Sequence, residues 1–219
     1  MRRVKVKICG ITRMEDLEMA CRLGADAVGF VVDVSKSPRN LSPEAAEKLM
    51  DKVPIFTKSV LVTVLEDLGR VISLYERLKP DVIQVHGGTL EEISALRRDL
   101  PEAHLIGAVS VKSESEIQTA MKLISFFDAV LADSYSPNKF GGIGVIHDWS
   151  ISSRIREALY PKPLILAGGL NPENVKEAVR IVKPYAVDVS TGVESQPGLK
   201  DPEKIRAFIE GAKSVLIQD

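Results

Sequence analysis

Short apolar, β-branched runs alternate with amphipathic stretches along the whole chain. Residues 4–8, 27–32, 58–64, 82–85, 104–109, 129–132, 164–167 and 186–189 read as strands. Between and after them, 13–22, 43–50, 68–78, 90–98, 114–124, 149–159, 172–182 and 201–215 carry apolar positions every three or four residues and read as helices. Ser42-Pro43, Asn171-Pro172 and Asp201-Pro202 each set a polar capping side chain before a proline that suits the first helical turn. Strands that alternate with helices pair in parallel, because each helix returns the chain to start the next strand in the same direction. Eight such units close into a single (β/α)8 TIM barrel, an α/β fold. An open doubly wound sheet is the alternative, but no Gly-x-Gly-x-x-Gly turn follows the first strand. No Pro/Gly/Ser-rich linker interrupts the pattern, so one domain is expected over residues 1–219.

In a barrel the strands' C-terminal tips converge on one mouth, where ligands bind. Cys9 ends the first strand, Asp33 follows the second, His86 the fourth, Asp133 the sixth, and Asp188 and Ser190 the eighth. Each alone has an ordinary structural reading: a core thiol, a turn carboxylate, a satisfied histidine. On the first strand, Val4, Val6 and Ile8 share one face and Lys5, Lys7 and Cys9 the other. The apolar face must pack on helices, so Lys7 is expected inside the barrel below Cys9. A buried ammonium needs an anion, for which Asp33, Asp133 and Asp188 are candidates. Its charge is expected to lower the thiol's pKa from about 8.5.

Two glycine-containing loops add a second chemistry. Ala167-Gly168-Gly169-Leu170-Asn171 follows the seventh strand and Ser190-Thr191-Gly192 the eighth. Small loops at these positions present backbone N–H groups to a phosphate. In the second loop Arg39 can fork onto a carboxylate. The stretch 134–148, long and glycine-rich, reads as a lid over the mouth.

The net charge of −1 over 219 residues gives no global field for nucleic acid or an anionic membrane, so neither is an expected partner. The N-terminus resembles no signal peptide, and no apolar run is long enough to span a bilayer, so a cytoplasmic location is expected. The cysteines, Cys9 and Cys21, are not expected to bridge. With three histidines they lack metal-ligand spacing, and no nucleotide motif appears. Neither metal nor cofactor is expected. A homodimer is one assembly open to the chain.

These motifs, in order, resemble one family. KICGIT (7–12), GADAVGFV (24–31), SKSPRNLSPEAA (35–46), QVHG (84–87), LAGGLNPENV (166–175) and VDVSTGVE (187–194) are similar to phosphoribosylanthranilate isomerase, an enzyme of tryptophan biosynthesis, across essentially the whole chain. The resemblance implies a (β/α)8 barrel that acts on a phosphosugar without a cofactor. It implies an Amadori rearrangement of N-(5-phosphoribosyl)anthranilate, with Cys9 as general base and Asp133 as general acid. It puts Arg39 at the anthranilate carboxylate, His86 and Asp188 in the same pocket, and Gly168, Gly169, Ser190, Thr191 and Gly192 around the phosphate. Thr191 stands where a serine is usual, and Gly88 where an acidic residue is often found. Indole-glycerol-phosphate synthase would be expected to show a lysine and glutamate set, a ribulose-phosphate epimerase metal-binding histidines; a non-catalytic phosphate-binding barrel would need the loops alone.

Overall fold

Each apolar run folds as a strand and each amphipathic stretch as the helix that carries the chain back. The computed structural model describes residues 1–134 and 146–218. The barrel strands are β1 Lys5–Cys9, β2 Ala27–Val32, β3 Lys58–Val64, β4 Val82–His86, β5 Leu105–Val111, β6 Ala129–Ser134, β7 Leu164–Leu166 and β8 Ala186–Val189. Each pairs in parallel with the next, and β8 pairs in parallel with β1, which closes the ring. The helices are α1 Met14–Arg22, α2 Pro43–Met50, α3 Leu68–Leu78, α4 Leu90–Asp99, α5 Ser115–Leu123, α6 Trp149–Leu159, α7 Val175–Val182 and α8 Pro202–Lys213.

Side chains alternate between two cores, as period-two strands require. Val6, Ile8, Val28, Phe30, Leu61, Ile83, Val130 and Val187 face outward and are buried with the helices' apolar stripes. Ile106, Ala129, Leu131, Ile165 and Ala186 fill part of the interior, and Cys9, Val31, Val60 and Val62 another part. Fully burying one such side chain contributes roughly 1.5–3 kcal/mol, so the two layers together fix strand register and the height of each tip.

Local signals set the helix starts. The Ser42 side chain accepts from the Ala45 N–H, and Asp201 from those of Glu203 and Lys204. Thr89 and Glu92 satisfy each other's backbone in a capping box. At α7 the expectation fails by three residues. Asn171 accepts from the N–H groups of Glu173 and Asn174, while Asn174 accepts from the Asn171 N–H, so a closed turn comes first and the helix begins at Val175. Opposite the mouth, Arg2–Arg3 pairs antiparallel with Leu216–Ile217 and brings the two described chain ends together.

Candidate active site

Cys9, Arg39, His86, Asp133, Gly168, Gly169, Asp188, Ser190, Thr191 and Gly192 all line one cleft that opens to solvent. Asp33 is absent from that lining. Its backbone turns into the left-handed region (φ 58°), and its carboxylate accepts from Arg70 Nε at 2.5 Å. The expected lid falls largely on 135–145, outside the described residues.

The floor of the cleft is an ion pair. Strand pairing sets Asp188 of β8 opposite Lys7 of β1, and Lys7 Nζ donates to Asp188 Oδ1 at 2.9 Å with both side chains almost wholly buried. Lys7 therefore points inward, and Asp188 is its partner among the three candidates. Burial works against the ammonium, but Asp188 and Cys9 outweigh it and hold the Lys7 pKa above that of an ordinary lysine. Gly29 of β2 faces this pair. A Cβ there would sit 2.8 Å from Cys9 Sγ and 3.1 Å from Lys7 Cε, so only glycine leaves room for both.

The thiol's protonation differs from the expectation. Burial pushes the Cys9 pKa up, and Asp188 adds to the rise; Lys7 and Lys200 pull it down without offsetting them. A lysine beside a thiol stabilises the thiolate, but for the buried Cys9 the loss of solvation costs the charged form more than Lys7 returns. Asp133 goes the way an acid needs. Burial, and then the Asp188 carboxylate, raise it from 3.8 to about 6, against the Ser134 N–H that donates to its Oδ1 at 2.8 Å. His86 is pushed by burial and by Lys7 to about 4, so it is neutral at physiological pH.

On the other side of the cleft, Gly168 and Gly169 have positive φ (81° and 66°), and a Cβ on Gly192 would run into the Leu170 carbonyl. The two loops meet at Gly192, where the missing side chain makes room for the Leu170 carbonyl. Arg39 reaches this wall, but its fork is already engaged. Nε and Nη2 donate to the Glu194 carboxylate at 2.7 and 2.5 Å, and Nη2 also donates to Thr191 Oγ1 at 3.0 Å.

Sequence reading missed three sets of groups. Gln84 is buried on the inward face of β4 and lies 3.0 Å from His86 Nε2; a polar residue at an inward position of a strand was the available signal. Glu194 and Lys200 form a buried pair behind the loop after β8, in a short hairpin of Glu194–Gln196 with Leu199–Lys200 that has no periodic pattern to betray it. His147 bridges Ser134 Oγ (3.0 Å) and Ser152 Oγ (2.6 Å), joining the end of β6 to α6.

A carboxylic acid of raised pKa, a thiol beside a lysine, and two anion-suited loops in one barrel mouth fit acid–base chemistry on a phosphorylated sugar. Comparison with known proteins narrows this. Residues 6–211 match the family model described as N-(5'phosphoribosyl)anthranilate (PRA) isomerase. The N-(5'-phosphoribosyl)anthranilate isomerase 1 of Methanosarcina mazei is 41% identical, over 95% of this chain and 94% of its own length. Among solved structures, phosphoribosyl anthranilate isomerase from Thermotoga maritima superposes with a TM-score of 0.86 at 38% identity, covering 97% of this chain and 100% of that one. A phosphoribosyl anthranilate isomerase in complex with reduced 1-(o-carboxyphenylamino)-1-deoxyribulose 5-phosphate gives 0.83 at 36% identity, with the same coverage. A structure of monomers generated from the dimeric Thermotoga maritima isomerase gives 0.84 at 36% identity, again with that coverage. With the family model matched over residues 6–211 and relatives 36–41% identical over 95–97% of its length, this chain belongs to the N-(5'-phosphoribosyl)anthranilate isomerase family.

Proposed function

We propose that this chain isomerises N-(5-phosphoribosyl)anthranilate to 1-(o-carboxyphenylamino)-1-deoxyribulose 5-phosphate, a step of tryptophan biosynthesis, with Asp133 as general acid and Cys9 as general base. The observation that carries the reading is Asp133: a carboxyl group at a strand tip, held near pKa 6 by burial and by Asp188, in the same cleft as a lysine-flanked thiol. The chemistry divides between them. Asp133 gives a proton to the furanose ring oxygen as its bond to C1′ breaks, leaving an open-chain Schiff base. Cys9 then takes the C2′ proton, and the electron pair forms the C1′–C2′ double bond of the enolamine, which tautomerises to the ketone. Phosphate held by the Gly168-Gly169 and Ser190-Thr191-Gly192 loops anchors the sugar between acid and base. Arg39 faces the anthranilate carboxylate with what Glu194 leaves free of its fork. His86, neutral, and Asp188 complete the wall.

At neutral pH burial leaves the thiol protonated and Asp133 mostly ionised. The reacting form has the proton on the carboxyl and the charge on sulfur. Both forms hold the same number of protons, so their ratio does not change with pH between the two pKa values. Lys7 favours the thiolate electrostatically, which is its expected contribution to rate.

A reduced compartment suits a base that must stay a free thiol, and we place the activity in the cytoplasm on that ground. Self-association follows the dimeric Thermotoga maritima relative, and the exposed Ile55 and Phe56 between α2 and β3 offer apolar surface for it. Sedimentation tests the dimer. The activity is tested by adding freshly made phosphoribosylanthranilate and following the loss of its anthranilate fluorescence. Decay no faster than the uncatalysed background refutes the isomerase reading.

A further inference from the structure

Behind the loop that follows β8 lies a charge cluster that is not neutral. The Glu194 carboxylate is gripped by the Arg39 fork on one side and by Lys200 Nζ at 2.9 Å on the other. All three side chains are buried, and that of Lys200 completely. Arg39 alone would balance Glu194. A second cation adds desolvation cost, and among the described residues the Lys200 ammonium shares Glu194 with Arg39 rather than pairing with a carboxylate of its own; Asp16 accepts from the Lys200 backbone N–H and pairs with Arg13. That cost shows at the ammonium itself, because burial lowers the Lys200 pKa even with Glu194 in contact. The surplus positive charge sits against the wall where an anion is to be held. Lys200 Nζ also donates to the Ser190 carbonyl at 3.2 Å, which fixes the first residue of the loop lining the cleft, and the buried Ser190 hydroxyl beside it has no partner among the described residues.

We propose that Lys200 is a positioning residue for anion binding. It supplies the uncompensated charge beneath Ser190-Thr191-Gly192, holds that loop through the Ser190 carbonyl, and so sets affinity for the anionic end of the substrate. The isomerase reading enters only in naming that end a sugar phosphate. Glu194 is the intermediary: it carries Arg39 and Lys200 on one carboxylate, so the arginine at the mouth and the loop move as one unit.

The test uses Lys200→Gln, which removes the charge, keeps a donor, and leaves Arg39 and Glu194 as a balanced pair. Lys200→Met is made in parallel in case the glutamine variant folds poorly, and Lys200→Arg restores the charge. Inorganic phosphate binding is measured by calorimetry, and steady-state rates with phosphoribosylanthranilate. In Lys200→Gln the phosphate Kd and the substrate KM are each expected to rise about tenfold, with kcat changed by less than about threefold; Lys200→Arg recovers most of the loss. An unchanged phosphate Kd in a folded variant overturns the proposal, as does a fall in kcat at constant KM, or no phosphate binding by the unaltered chain. Phosphate binding that weakens on substitution, in a protein that does not turn over phosphoribosylanthranilate, leaves this proposal standing and removes the isomerase reading.

Discussion

Asp133→Asn is expected to make the protein more stable at neutral pH while abolishing its activity. Folding raises this carboxyl from 3.8 to about 6. Between those values the folded state holds a proton that the unfolded state has released, so stability falls as pH climbs through that window. Above pH 6 the full penalty applies, and below about pH 4 none remains. A shift from 3.8 to about 6 corresponds to roughly 3 kcal/mol at 1.36 kcal/mol per pKa unit. The side chain still meets water in the cleft, which trims the gain to about 1–3 kcal/mol. Asparagine keeps the acceptor that Ser134 N–H uses and carries no charge, so little else changes. Guanidinium unfolding at pH 7 and at pH 4 measures the difference. A gain at pH 7 that vanishes at pH 4 is the expected signature. An Asn variant no more stable than the parent at pH 7, or one equally stabilised at both pH values, refutes the electrostatic account of this acid.

Three further outcomes follow from the same geometry. The acid limb of kcat/KM should lie near pH 6 and persist in His86→Asn, because His86 itself is pushed to about 4; a limb that disappears with the histidine would reassign it. Lys7→Met leaves Asp188 buried without its cation and should cost about 3–5 kcal/mol in urea unfolding, with a substantial part recovered in Lys7→Met/Asp188→Leu; no recovery in the double variant would deny the pairing its role. Gly29→Ala forces a methyl against Cys9 Sγ and Lys7 Cε, and should lower kcat on the order of 100-fold for about 1–3 kcal/mol of stability; near-normal turnover would show that the thiol's placement is not critical.

The barrel was legible because period-two and period-3.6 patterns alternate without a break, and strand parity alone sent Lys7 inward. What parity cannot supply is register. Three aspartates suited Lys7 equally until the β8–β1 pairing put Asp188 opposite it. The tip residues were legible as a set, since polar groups that end apolar runs cost free energy wherever no partner or ligand takes them up. Asp33 was the exception, turned away by its left-handed backbone. Lys7 lowers the thiol's pKa as expected, but sequence shows a neighbouring charge and not the depth of burial that outweighs it. Arg39 was placed correctly in the cleft, yet its partner Glu194 sits in an irregular hairpin where only the folded chain brings residues 39, 194 and 200 together.

The Lys7–Asp188 contact joins positions 181 residues apart, from the first barrel strand to the last. Loop closure over that span is entropically costly and belongs late in folding. Until β8 arrives, sealing Lys7 into the interior is opposed by the desolvation of a lone ammonium, so water should linger around β1 in any partly folded form. Refolding should therefore regain helical signal well before it regains catalysis, and the return of turnover becomes a clock for ring closure itself.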